Sequence, residues 1–338
     1  MSGVNRGAAM SGAAGSNNRR AAATAPAAGV LPRVIGISQK LLPEEAFAAR
    51  LRRLRRCGIG ALDLNLSDTG ALPYTLPEAE AEVFLARVRA QIGEAGLFVS
   101  QIHGPWRWPE RDATEEDRAE RFEKMRRALR AARLLGTPCM AIHPLYPLGD
   151  DPARITEAML PAHLAEPCLP AEALRTDAIR AELLRVNREF FARLARAAEE
   201  EGAVVCLENM PCRMPLSSPE EQLRFVRELA SPALRLCLDT GHANFLGVSP
   251  GAFLREAADE VKILHVHDNS GCADEHRLPG EGTVDWTAFS AALRETAWQG
   301  VFSLETDVLG AKSEAEYEAR LRGLTELARR LSDGPEPG

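Results

Sequence analysis

Histidines and carboxylates stand at the ends of short apolar segments along this chain. The segments read QIHGPW, AIHP, CLENMP, CLDTGH, LHVHDN and SLETD, and one loop reads CADEHRLPGEG. Six of the seven histidines belong to this set, whose members are His103, His143, Glu208, Asp239, His242, His265, His267, Asp274, His276 and Glu305. Buried charges need partners, and one divalent cation neutralises several carboxylates at once. The set predicts a metal centre, with a metal-free network of histidine–carboxylate hydrogen bonds as the alternative.

The apolar segments alternate with longer amphipathic segments from Arg33 onward. The predicted strands are Val34–Ser38, Ala61–Leu66, Phe98–His103, Cys139–His143, Ala203–Glu208, Leu234–Asp239, Val261–His267 and Val301–Glu305. The predicted helices are Glu44–Cys57, Glu78–Ala95, Thr114–Leu135, Ala178–Glu201, Pro219–Ala230, Ser249–Asp259, Trp286–Trp298 and Ser313–Leu331. Alternating strands and helices form right-handed βαβ units and a parallel sheet. Eight units in about 300 residues predict an α/β protein with a single (β/α)8 TIM barrel. An open doubly wound sheet is the runner-up, but no G-x-G-x-x-G follows the first strand.

The active site of such a barrel lies at the carboxyl ends of its strands, where the polar residues fall. Side chains two residues apart on a strand share a face. The positions two before the polar residues are small or polar, as expected for a barrel interior; they are Gln101, Ala141, Cys206, Cys237 and Ser303. The intervening positions are aliphatic and predict packing against the helices; they are Ile102, Ile142, Leu207, Leu238 and Leu304.

The domain organisation predicted from composition is one barrel over residues 33–332 with short tails. Residues 1–32 are rich in Ala, Gly, Ser and Asn and have no helical apolar stripe, which predicts a disordered tail. Residues 333–338 are predicted to be a C-terminal tail. A long connection, Leu145–Asp177, separates the fourth strand from its helix, and its length predicts a lid or a substrate wall.

Composition limits the function classes. The net charge is −7, from 41 basic and 48 acidic residues, and no basic block suggests a nucleic-acid-binding arm. Apolar segments long enough to cross a membrane do not occur, so a membrane partner is not expected. The seven cysteines contain no C-x-x-C pair, which favours a reducing, cytoplasmic location.

The ordered strings LENMP, LDTGH, HVHDN, DEH-x-LPGEG-x-VDW and SLE closely resemble the sugar phosphate isomerase/epimerase family of xylose isomerase-like TIM barrels. The resemblance covers about Val34–Leu331. It implies one divalent metal, Mn²⁺, Mg²⁺, Co²⁺ or Zn²⁺, held by Glu208, Asp239, His265 and Glu305. The family pattern His-x-x-Asp/Glu selects His265 as the ligand on the seventh strand. His267 shares its face and is the alternative ligand.

The resemblance also implies an activity, the isomerisation or epimerisation of a small sugar, sugar phosphate or polyol. Glu208 and Glu305 would then serve both as ligands and as the acid/base pair that removes and returns a proton. We expect substrate contacts from His103, Trp106, His242 and Arg277. The expected partner is the small-molecule substrate. The sequence does not decide whether the chain also forms a homo-oligomer.

The same superfamily includes enzymes with a second activity. These are AP endonucleases of the endonuclease IV type, which have a three-zinc cluster. The chain is similar to that type at the additional ligands His103, His143, His242, Asp274 and His276. The ligand set therefore leaves phosphodiester hydrolysis as the alternative function. Loops such as LSDTGALPYTLPEAE are acidic, and phosphate contacts dominate DNA binding, so the sugar activity is favoured.

Overall fold

The structure, a computed structural model, describes residues 33–68, 70–106, 112, 114–146, 177–212, 214–306, 308 and 311–333. The strands are β1 (Ile35–Lys40), β2 (Ala61–Asn65), β3 (Phe98–His103), β4 (Cys139–Ile142), β5 (Val204–Glu208), β6 (Leu234–Asp239), β7 (Val261–His265) and β8 (Phe302–Leu304). They pair in parallel in the order β7-β6-β5-β4-β3-β2-β1-β8. The two outermost strands meet through a parallel bridge between Val266 and Leu304, which closes the sheet into the predicted barrel.

Helices separate successive strands. They are α1 (Glu44–Arg56), α2 (Leu72–Thr75), α3 (Glu78–Glu94), α4 (Glu115–Leu135), α5 (Asp177–Glu201), α6 (Pro219–Leu229), α7 (Thr240–Phe245), α8 (Pro250–Ala257), α9 (Trp286–Glu295) and α10 (Glu314–Asp333). Local signals set their ends. For example, Thr114 and Asp117 form a capping box at the start of α4, and Gly136 ends that helix in the left-handed conformation. Within the described ranges, no helix has the length and apolarity needed to cross a membrane.

The inner face of the barrel is lined by small residues, as the strand parity predicts. Ala141, Cys206 and Cys237 pack with Cys139 and Ile263 in a cluster separate from the main core. The aliphatic residues between them belong to the larger core beneath the helices. Small side chains just below the carboxyl ends leave room for long polar side chains above them. The interior cysteines Cys206 and Cys237 therefore pack inside the barrel, as the strand parity predicts.

The structure corrects several local predictions and leaves others outside the described residues. The seventh strand ends at His265 instead of His267, the eighth ends at Leu304 instead of Glu305, and the last helix includes Asp333, which was expected in the C-terminal tail. His242 was expected in a loop after β6 but lies in the short helix α7, because the Asp239 side chain accepts a hydrogen bond from the His242 backbone N–H and caps that helix. The tail 1–32, residues 147–176 of the expected lid, and residues 334–338 lie outside the described residues.

Arg33 joins the beginning of the barrel to its last two helices. Its backbone N–H donates to Asp333, and its guanidinium donates to the carbonyls of Leu293, Trp298 and Ser332. The side chain is buried, so these carbonyls depend on it for hydrogen bonding. Arg33 therefore holds β1 against the segments that follow β7 and β8, where the barrel closes.

We expect Arg33→Ala to lower the free energy of unfolding by about 2–3 kcal/mol, because hydrogen bonds to a charged donor are lost and buried carbonyls lose their partner. Urea denaturation measures the change. Arg52→Ala, an exposed arginine of α1, is the control and should alter stability by less than about 0.5 kcal/mol. Equal effects of the two substitutions would contradict a closing role for Arg33.

Candidate metal centre

Four side chains from consecutive strands converge at the carboxyl end of the barrel. Glu208 ends β5, Asp239 ends β6, His265 ends β7 and Glu305 follows β8. One ligand-type atom of each lies within 4.8 Å of the other three. The Nδ1 atom of His265 is 2.8 Å from Glu208 Oε1 and 3.2 Å from Glu305 Oε2. The structure thus brings these four predicted ligands together, and we call them the first group.

Glu208 also belongs to a second group, with His103 and His143. Its Oε2 atom lies 3.4 Å from His103 Nε2 and 3.2 Å from His143 Nε2. The two histidine Nε2 atoms are 3.3 Å apart. All three side chains are buried. The two oxygens of one carboxylate therefore face two different sets of nitrogen atoms.

A third group contains His242, His267, Asp274 and His276. Asp274 Oδ2 lies 3.3 Å from the Nε2 atoms of both His242 and His276. The ring of His267 stacks on that of His276, with centroids 4.0 Å apart, and its Nε2 is 3.0 Å from Asp239 Oδ1. The two histidines at the end of β7 are thus divided: His265 lies in the first group and His267 in the third.

Glycine at position 241 makes room for His267. A Cβ atom on Gly241 would lie 2.1 Å from Cε1 of that ring, closer than any real contact. Thr240 holds the same residue from the backbone side, because its hydroxyl donates to the His267 carbonyl and accepts from the His267 N–H. In the LDTGH string, Asp239 therefore caps a helix, and Thr240 holds the backbone of His267. The next residue, Gly241, leaves space for the His267 ring, and His242 adds an imidazole to the site.

Backbone carbonyls fix the rings of three histidines. The Nδ1–H of His103 donates to Gly104, that of His242 donates to Asn209, and that of His276 donates to Glu305, at 2.9, 2.8 and 2.7 Å. In a neutral ring, this leaves Nε2 as a lone-pair donor. All three Nε2 atoms face the carboxylates of the second and third groups, which is how metal-ligating histidines are arranged.

The charges of the cluster depend on each other. Burial by itself raises the pKa of Glu208, but His265 and His143 outweigh it and hold that pKa well below its usual range. Burial likewise opposes the lowering of the Glu305 pKa, which His265 brings about. At His143, burial dominates and lowers the pKa to about 4. At His103, His242, His265 and His276, nearby acidic groups outweigh burial and raise the pKa. The ionised carboxylates therefore draw positive charge into the cluster, either as protons on these rings or as a bound cation.

Buried oxygens without a donor test whether the residues fit a metal ion. Among the residues that the structure describes, Glu208 Oε2, Glu305 Oε2 and Asp274 Oδ1 are buried and accept no hydrogen bond. Each such oxygen is costly unless another group satisfies it. Carboxylate oxygens and imidazole nitrogens are the ligands that Mn²⁺, Co²⁺ and Zn²⁺ take in proteins, and carboxylates suit Mg²⁺. The donor set therefore fits a divalent cation.

Asp268 organises the loop that carries Asp274 and His276. Its fully buried carboxylate accepts hydrogen bonds from five N–H groups at 2.8–3.1 Å; the donors are the backbones of Asn269, Gly280, Gly282 and Val284 and the indole of Trp286. The loop leaves no room at Gly282, where a Cβ atom would lie 2.3 Å from Asp268 Oδ1. The PGEG string is structural, as expected, and the predicted N-cap of the next helix, Asp285, accepts from the Ala288 N–H.

The two remaining predicted contact residues differ in position. Trp106 lies at the rim, with its ring edge-on to His143 at 5.1 Å between centroids. Arg277 pairs with Glu275 and donates to the Glu281 carbonyl, so its guanidinium is held by its own loop. Trp106 therefore adjoins the second group, whereas the contacts of Arg277 do not include the clustered ligands.

Sequence reasoning missed two residues that support the site. Asn209 bridges β5 and β6: its amide oxygen accepts from the Asp239 N–H, and its amide NH₂ donates to the Asp239 carbonyl. Asp63, on β2, lies beside His265 inside the barrel, with Oδ2 3.3 Å from Nε2. The signal for Asp63 was available, because a carboxylate at an inward position of an apolar strand is unusual.

A family model described as xylose isomerase-like TIM barrel matches residues 51–327. The chain belongs to that family. This agrees with the eight-stranded barrel and with the resemblance carried by the strand-end motifs.

Individual relatives match over shorter stretches. A D-psicose 3-epimerase of Enterocloster bolteae is 32% identical over 133 residues, which are 38% of this chain and 41% of that protein. An uncharacterised protein of Methanocaldococcus jannaschii is 36% identical over 129 residues, 37% of this chain and 44% of that protein. The matches thus span less than half the length of these curated relatives.

Solved structures share the fold over nearly the whole chain. A D-psicose 3-epimerase crystallised in the presence of D-fructose gives a TM-score of 0.66 at 17% identity, covering 89% of this chain and 100% of that one. The 3-keto-D-glucoside 4-epimerase of E. coli gives a TM-score of 0.63 at 19% identity, covering 87% and 99%.

We expect Asp268→Asn to loosen the loop that carries Asp274 and His276, because an amide NH₂ cannot accept the N–H groups that one oxygen now accepts. Exchange of the Gly280 and Gly282 amide hydrogens should accelerate by about tenfold or more, since hydrogen bonds to a charged acceptor are worth about 1.5–3 kcal/mol. Hydrogen-exchange mass spectrometry or NMR gives the rates. Asp285→Asn is the matched control, because asparagine caps a helix as well as aspartate. Unchanged exchange in Asp268→Asn would show that the loop does not depend on this carboxylate.

Proposed function

We propose that this chain is a divalent-metal-dependent isomerase or epimerase of a small sugar, sugar phosphate or polyol. The observation that carries the proposal is the pair of glutamates on either side of His265, whose Nδ1 lies 2.8 Å from Glu208 and 3.2 Å from Glu305. Two carboxylates at one site suit the removal of a proton from carbon and the return of a proton. The family membership and the epimerases among the relatives support the same assignment.

The first group would hold the metal through Glu208, Asp239, His265 and Glu305. Bound there, a cation would supply Lewis acidity toward a substrate carbonyl and so make the neighbouring C–H bond more acidic. The buried, donor-free oxygens of Glu208 and Glu305 support both a ligand role and a base role for these residues.

The chain's own residues supply proton transfer and orientation. One of Glu208 and Glu305 takes a proton from the substrate carbon, and the other returns a proton, so that the reaction neither gains nor loses protons overall. His103 and His242 have rings fixed by backbone carbonyls and are suited to hold substrate hydroxyl groups. Trp106 offers an apolar face at the rim against which a sugar ring packs. The expectation that Arg277 also binds substrate has less support, given its pairing with Glu275.

A second candidate function is phosphodiester hydrolysis at a multinuclear zinc centre. The observation that favours it is that, among the residues the structure describes, several ligand groups adjoin one another, with Glu208 common to the first and second. Neighbouring metal ions stabilise both the attacking and the leaving oxygen in such reactions. The net charge of −7 weighs against a nucleic-acid substrate, because phosphate contacts need basic residues.

We expect Asp239→Ala to lose the metal of the first group, because it removes one ligand. Without the metal, Glu208 and Glu305 repel each other. Elemental analysis of protein purified without chelators measures the content. Asp259→Ala, an exposed aspartate at the opposite end of the barrel, should retain the wild-type content. Full metal content in Asp239→Ala would overturn the ligand assignment. The wild-type value also separates the two functions: about one ion per chain supports the epimerase, and three zinc ions support the hydrolase.

Glu305→Gln should abolish proton exchange at carbon. Incubation of the wild-type protein with ketoses such as D-fructose or D-psicose in D₂O should place deuterium on the carbon beside the carbonyl. The variant should slow this exchange by about 100-fold or more, because the amide accepts no proton. Metal content should fall less than in Asp239→Ala, since the amide oxygen still coordinates. The control is Glu256→Gln on the exposed face of α8. Efficient nicking of DNA with an abasic site, without exchange into any sugar, would favour the hydrolase.

A further inference from the structure

Asp63 is a carboxylate inside the barrel, beside His265. The residue is fully buried, and within the described part of the chain neither of its oxygens accepts a hydrogen bond. Its Oδ2 atom lies 3.3 Å from Nε2 of His265. A buried carboxylate without donors is costly, so its presence needs a reason.

The backbone brings Asp63 to this position. In the pairing of β2 with β3, Leu62 is opposite Val99 but Asp63 is opposite Gln101, so the register shifts by one residue just before Asp63. Ser100, the extra residue, donates its hydroxyl proton to the Leu62 carbonyl. Irregularities of this kind re-aim side chains and occur next to active sites. The shift places Asp63 level with the interior residue Gln101, below the ligand groups.

His265 differs from the other fixed histidines of the site. His103, His242 and His276 have Nδ1 tied to a backbone carbonyl and Nε2 facing the ligand groups. His265 is turned the other way: Nδ1 faces Glu208 and Glu305, and Nε2 faces Asp63. The His265 nitrogen that points away from Glu208 and Glu305 therefore faces the carboxylate of Asp63. In the other three rings, the nitrogen that points away from the ligand groups donates to a backbone carbonyl.

We propose that Asp63 is a positioning residue that accepts a hydrogen bond from the Nε2–H group of His265. This hydrogen bond directs Nδ1 of the same ring toward Glu208 and Glu305, where it can act as a metal ligand. The proposal rests on the function proposed above, since it assigns the metal to the first group. A neutral imidazole carries one proton, so a ring that keeps it on Nε2 has its lone pair on Nδ1. Metal-ligating histidines are commonly fixed by such a carboxylate, and its loss costs about 10–100-fold in metal affinity.

The affinity test uses Zn²⁺ in competition with a chromophoric chelator. Asp63→Ala should weaken binding of Zn²⁺ at the first group by about 10–100-fold, and Asp63→Asn, whose amide oxygen still accepts a hydrogen bond, should recover part of the loss. Asp112→Asn is the matched control, because Asp112 is an equally buried carboxylate whose Oδ2 lies 3.4 Å from Nη1 of Arg121. It should change stability but not affinity for Zn²⁺.

The spectroscopic test uses ¹⁵N-histidine NMR of the zinc-loaded protein, which is independent of activity. The wild type should show His265 protonated at Nε2, with a low-field proton that exchanges slowly with water. That signal should broaden or disappear in Asp63→Ala. A proton on Nδ1 of His265 instead, or equal Zn²⁺ affinity in the wild type and Asp63→Ala, would overturn the positioning role alone. Absence of Zn²⁺ binding by the wild type would overturn the proposed function and this inference with it.

Discussion

The burial of several carboxylates at one end of the barrel is the constraint on which the site depends. A carboxylate oxygen of each of Glu208, Asp239 and Asp274 lies within about one hydrogen-bond length of an imidazole nitrogen. Glu305 has the same relation to the Nδ1 atom of His265. Without positive charge among them, these carboxylates would repel each other, and the ionised form would be disfavoured. Imidazoles meet this need in part, and the donor-free oxygens mark where they do not.

Orientation comes from the backbone as much as from the side chains. Backbone carbonyls just after the strand ends accept hydrogen bonds from the rings of His103, His242 and His276. Asp268 accepts hydrogen bonds from N–H groups of the longest described loop, and Asn209 joins β5 to β6 by hydrogen bonds. A rigid rim of this type costs little rearrangement when a ligand enters, because the groups already point inward. The fold therefore contributes geometry, and the side chains contribute charge and protons.

Much of the fold and the clustered residues could be predicted from sequence, because both follow local rules. The alternation of strands and helices gave the barrel, and the parity of residues such as Cys206 and Leu207 gave inside and outside. The sequence could not say which nitrogen of His265 faces which carboxylate, or that Asp239 caps a helix that begins at Thr240. Those features depend on contacts between distant segments, such as that between Asp63 and His265, and on a register shift that has no local signature. The predicted ligand roles themselves stay predictions.

The position of Glu208 between two groups has a thermodynamic consequence. Its Oε1 atom serves His265, and its Oε2 atom faces His103 and His143, so one carboxylate belongs to two potential binding equilibria. Charge withdrawn through one oxygen lowers the electron density available at the other. If ions bind at both groups, occupancy of the first and occupancy of the second are linked, and by reciprocity each alters the other's dissociation constant by the same factor. Ions and protons would then not titrate this rim as independent sites.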